Sequence, residues 1–144
     1  MSTLKFDYDS KWKQKRLVMS RMAWVLKFLR VGIKHVSVCK TIDPITKKTR
    51  GYHVKIETKQ EIKPLMRIMI QSLCNSDYAR ETYNLVRALN LIDRRKKYSN
   101  TARDEWNVLY SMKEINDEKV SMEAFDEKLT GRLKKVLKKR RQKK

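Results

Sequence analysis

The chain has 144 residues, of which 36 are Lys or Arg and 16 are Asp or Glu, a formal charge of +20. With 40% hydrophobic residues it keeps enough apolar content to fold, which separates it from disordered polycations. The surplus points to a polyanionic partner, because Lys and Arg that neutralise phosphates release condensed counterions; nucleic acid is the leading class. The length fits one domain, and three Gly and two Pro leave room for few tight turns, so helices should dominate. Cys39 and Cys74 form no CxxC pair and have no His at ligand spacing, which argues against a disulfide framework and a zinc site.

Leu4, Phe6 and Tyr8 alternate with polar residues and predict a short N-terminal strand before Asp9 or Ser10 caps a helix. That opening has no basic stretch followed by an apolar one, so an intracellular protein is expected. From Lys11 to about Ile33, Val18, Met22, Val25, Leu26, Leu29 and Ile33 follow helical spacing, with Leu17, Trp24, Phe28 and Val31 widening the stripe. The remaining row, Arg16, Ser20, Ala23, Lys27, Arg30 and Lys34, is basic and contains no acid. Arg21, Lys27 and Arg30 exclude a membrane span here, and no membrane partner is expected.

After Gly32, Val36, Val38 and Ile42 alternate with polar residues, as do Tyr52, Val54 and Ile56, predicting two strands. Between them Asp43 to Gly51 reads as a hairpin loop that presents Lys47, Lys48 and Arg50. Parity puts Tyr52 in the core and His53 and Lys55 on the other face. A helix over Glu61 to Leu73 should bury Ile62, Leu65, Met66, Met69 and Leu73, with Pro64 in its first turn. The next, Asp77 to Ile92, should bury Ala79, Tyr83, Val86 and Leu89 and line up Arg80, Asn84, Arg87 and Arg94 on one side. It runs into Arg94, Arg95, Lys96, Lys97 and Tyr98, a cluster suited to phosphate contact with stacking on the tyrosine.

Trp106 to Tyr110 reads as a strand, with a helical alternative from Thr101. Ser121 can cap a final helix whose stripe is Met122, Phe125, Leu129, Leu133, Val136 and Leu137. Nine basic residues and no acid follow from Arg132 to Lys144, predicting a helix that frays into a basic tail. Residues 1 to 57 carry 14 basic and 4 acidic groups, half of the net surplus, so the tail is at most an auxiliary arm.

For catalysis, the isolated Gly32, Gly51 and Gly131 fit neither a P-loop nor a dinucleotide fingerprint. His35 and His53 lack a partner constellation. Asp43 with Glu57-Thr58-Lys59 matches the D…ExK pattern of metal-dependent nucleases, in which carboxylates hold Mg²⁺ and Lys positions water. In a chain with 36% charged residues that triplet arises readily by chance. No cofactor and no resident metal are expected.

Arg50-Gly51-Tyr52-His53-Val54, then two helices joined at Asn75-Ser76-Asp77 with Arg80 and Arg87, then Asn107-Val108-Leu109-Tyr110, resemble the archaeal single-stranded-DNA-binding proteins called ThermoDBP. The resemblance covers residues 10 to 111, and the helix junction here lacks that family's Gly-Asp-Asp-Pro type of turn. It implies a basic cleft beside the hairpin that takes single-stranded DNA, and pairing between subunits through residues 122 to 137.

Together these readings predict an α+β protein: a helix-rich domain over residues 1–111 packed on a small antiparallel hairpin or sheet, then a basic helical extension over 112–144. The expected activity is non-enzymatic binding of nucleic acid, preferentially single-stranded DNA, by a cytoplasmic, nucleoid-associated protein. RNA within a ribonucleoprotein, or a nuclease using Asp43, Glu57 and Lys59, stand as alternatives. The candidate contacts are Arg16, Lys27, Arg30, Lys34, Lys47, Lys48, Arg50, Lys55, Arg80, Arg87, Arg94, Arg95, Lys96, Lys97 and Tyr98.

Overall fold

A computed structural model describes residues 2–9, 15–74, 76–93, 112–115 and 118–142. Its elements are β1 (Thr3–Asp9), α1 (Lys15–Phe28), β2 (Ile33–Ile42), β3 (Thr49–Thr58), α2 (Pro64–Leu73), α3 (Tyr78–Asp93), β4 (Met112–Ile115), β5 (Glu118–Ser121), β6 (Glu123–Phe125) and α4 (Glu127–Gln142). The fold is α+β. One antiparallel sheet has the order β1-β3-β2-β6, and β4 and β5 form a two-stranded ladder.

The alternating pattern dictates the core. Leu4, Phe6 and Tyr8, then Tyr52, Val54 and Ile56, then Val36 and Val38 point to one face of the sheet, in a register that sets Phe6 opposite Val54 and Val54 opposite Val38. Val18, Met22, Val25 and Leu26 of α1 and Leu129, Leu133 and Leu137 of α4 close that face. Each fully buried side chain of this size contributes about 1.5 to 3 kcal/mol. At Gly51 a Cβ would run into the Tyr8 carbonyl oxygen, so β1 packs this closely only against glycine.

One edge strand, β1, and the stretch of β2 beside the short edge strand β6 are bonded by groups from other elements. In β1, Lys5 and Asp7 turn their backbone groups away from β3. The Lys5 N–H donates to Gln71 Oε1 (2.9 Å) and its carbonyl accepts from Arg80 Nη1 (2.7 Å). The Asp7 N–H donates to Ser76 Oγ (2.9 Å) and its carbonyl accepts from the Asp77 N–H (2.8 Å). At the other edge β2 pairs with β6 at Cys39 to Thr41, and Thr130 Oγ1 accepts from the Val38 N–H at 2.9 Å. The Val38 carbonyl accepts from the Asp126 N–H at 2.8 Å. Unpaired edges invite other strands, and these contacts close those stretches.

The edge of β1 explains the largest departure from the sequence-based expectations. α2 buries Arg67, Ile68, Ile70 and Gln71 and exposes Leu65, Met66, Met69 and Leu73, the residues expected inside. α3 likewise buries Arg80, Glu81, Asn84 and Ala88 and exposes Tyr83, Val86 and Leu89. A strand edge needs donors and acceptors, so the polar stripe of each helix faces it, and the apolar stripe is left outside.

Further expectations are corrected along the chain. α1 closes before Ile33: the Val31 N–H reaches back to the Leu26 carbonyl (2.8 Å) with Arg30 at φ 56°, a Schellman-type end, so Ile33 opens β2. Leu17, Trp24 and Phe28 lie on its exposed side, while Ala23, expected outside, is buried. The last helix starts at Glu127, where Asp126 Oδ1 accepts from the Leu129 N–H at 3.0 Å; Ser121 ends a strand. Leu129, Leu133 and Leu137 are core residues and Met122 is buried, so most of the stripe expected to join subunits packs within the chain, while Phe125 is exposed. The expected strand over Trp106 to Tyr110 lies outside the described residues.

Candidate nucleic-acid interface

α4 crosses the start of β2. Because Leu133 and Leu137 anchor its inner face, Lys134 and Lys138, one position further along, project at the border of that face. Beside them β2 presents Lys34 and His35, both exposed at an irregularity in its register with β3 between Ile33 and His35. The result is a cleft of about 320 Å³ lined by Ile33, Lys34, His35, Val36, Lys134, Leu137 and Lys138. Its floor is apolar, its rim carries three ammonium groups and an imidazole, and among the described residues its lining includes no carboxylate. His35 Nδ1 lies 3.1 Å from the Val36 carbonyl, a contact that needs the proton on that nitrogen and directs Nε2 elsewhere. Such a groove attracts phosphates through the charge and the flat part of a sugar or base through the floor.

Leading to this cleft are the end of α1 and its turn. Trp24 and Phe28 are 56% and 70% exposed and stack on each other, with ring centroids 5.3 Å apart and planes 11° from parallel. Arg21, Lys27 and Arg30 are exposed on the same stretch. Lys34 lies six positions after Phe28, a reach of roughly 20 Å at most. Gln60 fixes the turn by accepting from the Gly32 N–H (2.9 Å) and donating to the Arg30 carbonyl (3.0 Å).

Lys47 and Lys48 are exposed on the hairpin loop, organised by Asp43, whose Oδ1 accepts from the Ile45 N–H at 2.8 Å, and Arg50 is exposed at the start of β3. Lys34 and this loop occupy opposite ends of β2, a separation of roughly 30 Å. The cations thus form two groups. Among the described residues the non-glycine positions with positive φ are Arg30 (56°) and Lys47 (60°), one in each group.

Other expected contacts are placed differently. Arg80 is 3% exposed in its side chain, paired with Glu81 at 2.9 Å and bonded to the Lys5 carbonyl, so it is withdrawn from any ligand. Burial lowers its pKa and raises that of Glu81 against the pull of Arg80. Arg87 is half-buried, 5.9 Å over the Tyr83 ring and 3.4 Å from Asn84 Oδ1. Lys55 Nζ meets Glu123 Oε2 at 3.2 Å. The same Glu123 takes His53 Nδ1 at 2.9 Å, and these contacts, the hydrogen bond with His53 foremost, hold its carboxyl below the usual range. His53 is therefore on the face opposite the core, as parity requires, yet buried between Glu123 and Asp7. The side chain of Arg16 and all of Arg94, Arg95, Lys96, Lys97 and Tyr98 lie outside the described residues.

The nuclease pattern does not assemble. Asp43 caps the hairpin loop, whereas Glu57 pairs with Thr3 and His35 at the far end of β3, roughly 25 Å away along the strand. No group of three or more His, Cys, Asp or Glu among the described residues is arranged to hold a metal ion. Burial pushes the Cys74 thiol up to about 12 and that of Cys39 upward too, which makes both poor nucleophiles at neutral pH. No helix among the described residues is long and apolar enough to cross a membrane.

Sequence reasoning passed over His35, Lys134, Lys138, Trp24 and Phe28 as ligand contacts. A signal for the two lysines existed: each follows a stripe leucine by one position, which sets it at the border of a buried face. Nothing in the pattern distinguished an exposed Trp24 from a buried one. No family model, no curated protein and no solved structure matches this chain.

Proposed function

We propose that this protein is a non-enzymatic nucleic-acid-binding protein that holds single-stranded DNA largely without regard to sequence. The observation that carries the proposal is the cleft between β2 and α4, where Lys34, Lys134 and Lys138 converge from two elements over an apolar floor, with no carboxylate among the described lining residues. Cations held by the folded body give salt-sensitive attraction to any phosphate chain. Trp24 and Phe28 supply the second requirement, a flat aromatic surface on which unpaired bases stack for about 1 to 3 kcal/mol each; paired bases offer no free face to it. Lys47, Lys48 and Arg50 extend the contact along a longer strand. The resemblance to archaeal ThermoDBP proteins at Arg50 to Val54 agrees with this reading, and a nucleoid-associated, intracellular role follows from it.

Matched single-stranded DNA, duplex DNA and RNA oligomers, titrated at two ionic strengths, test the proposal. Tightest binding to single-stranded DNA, weakening steeply with salt, is expected. A strong preference for RNA would move the protein to a ribonucleoprotein role, and absence of binding to all three at low salt would overturn the proposal.

A further inference from the structure

The outward faces of α2 and α3 leave an apolar surface that no phosphate would choose. Leu65, Met66, Met69 and Leu73 on α2 and Tyr83, Leu85, Val86 and Leu89 on α3 are between 39% and 62% exposed. The two stripes lie side by side. Ile68 packs on Ala88 at the seam, and Gln71 bonds to Glu81, so the helices run antiparallel. Leu65 and Leu85 each come three residues before a seam residue, and Met69 and Leu89 each come one after. Offsets of the same sense on antiparallel helices open onto the same side of the pair. Leu65, Met69, Leu85 and Leu89, with Leu73 one turn beyond Met69, therefore share an exposed apolar patch of the kind that marks an interaction surface.

Charge selects the occupant. Residues 61–93 carry four basic groups, Lys63, Arg67, Arg80 and Arg87, and four acidic ones, Glu61, Asp77, Glu81 and Asp93, while the whole chain carries +20. Two copies repel wherever their basic surfaces approach, and residues 61–93, formally neutral, add nothing to that repulsion. An acidic protein partner would instead be drawn to the strongly basic surfaces of α4 and the hairpin.

We infer that this chain forms a two-fold homodimer in which the α2–α3 face packs on the same face of a second copy. A two-fold axis through the patch sets each apolar stripe against its mate in a four-helix layer. The cleft between β2 and α4 is built from different elements and stays open, so the dimer offers two phosphate-binding grooves. The inference stands on the apolar face and its charge balance, independently of what the cleft binds.

Sedimentation equilibrium of the full chain over a roughly hundredfold concentration range tests it, with M69E, L89E and the double variant beside the parent. Because both side chains are exposed, the variants should fold, and far-ultraviolet circular dichroism checks that. A reversible dimer is expected, each glutamate raising the dissociation constant about tenfold or more and the double variant running as a monomer. A parent that is monomeric throughout the range would overturn the inference. So would a dimer indifferent to both substitutions, or variants that lower the melting temperature of a monomer, since that places the face under residues of the same chain.

Discussion

α4 and the α2–α3 pair are both amphipathic, and they turn opposite faces inward. α4 packs Leu129, Leu133 and Leu137 on the sheet and shows Lys134, Lys135 and Lys138 to solvent. α2 and α3 bury Arg67, Gln71, Arg80, Glu81 and Asn84 and show leucines, methionines and a tyrosine. The difference lies in what each meets. α4 lies over a flat apolar sheet face, which rewards removal of hydrocarbon from water. α2 and α3 lie along the edge of β1, where four backbone groups of Lys5 and Asp7 must be bonded on burial. Amphipathicity specifies that a helix has two faces; its neighbour decides which one is inside.

The comparison is most sharply broken at Arg80. Its side chain is buried with Glu81, so R80A leaves a carboxylate without its counter-charge and the Lys5 carbonyl without its donor. A loss of about 3 to 5 kcal/mol in urea unfolding is expected, larger than for an arginine on a solvated face. L133A, in the opposite kind of seam, should lose about 2 to 5 kcal/mol through the cavity it leaves. K134A and K138A should each change stability by less than about 0.5 kcal/mol while weakening oligonucleotide binding.

Removal of an edge contact gives an intermediate effect. Q71A strips the Lys5 N–H of its acceptor and should cost about 1 to 3 kcal/mol, with hydrogen exchange at Lys5 rising before exchange at Phe6, whose backbone faces β3. Arg30 and Lys47 separate stability from binding more cleanly. Both hold positive φ, where glycine is unstrained, so R30G and K47G should be neutral or stabilising by up to about 1 kcal/mol in thermal melts while binding single-stranded DNA more weakly.

The smallest effect is on acidity, and its sign differs between the two regions. Glu123, held down by its bond with His53 and by Lys55, contributes stability that is complete above the ordinary glutamate range and lost as pH falls through its lowered folded value. Glu81, pushed up by burial, works in reverse: stability is greatest below the ordinary range and declines as pH rises through the raised folded value. E123Q should therefore flatten the acid limb of a stability profile, a change that unfolding at several pH values would detect.

Much of this architecture was legible in the residues. The alternation at Leu4 to Tyr8, Val36 to Val38 and Tyr52 to Ile56 gave three strands with the correct inward faces, and Asp43 to Gly51 gave the hairpin, because period-two burial and turn chemistry are local. The helices of residues 61 to 93 were legible as helices but inverted, since the β1 edge that orients them is sixty residues or more away in sequence. The same cause misassigned Arg80: its grouping with Asn84 and Arg87 was right, its exposure was not. The cleft was half legible. Lys34 stood out in a basic row, whereas Lys134 and Lys138 looked like part of a tail until β2 was placed beside them.

The most direct test of the binding surface is the salt dependence of single-stranded DNA binding by the parent and by a variant with Lys34, Lys134 and Lys138 all changed to Gln. A cleft that holds three phosphates predicts a plot of log K against log salt that is shallower by about 2 in the variant, at about 0.7 per contact. A variant that stays folded and keeps the parent's slope would contradict it.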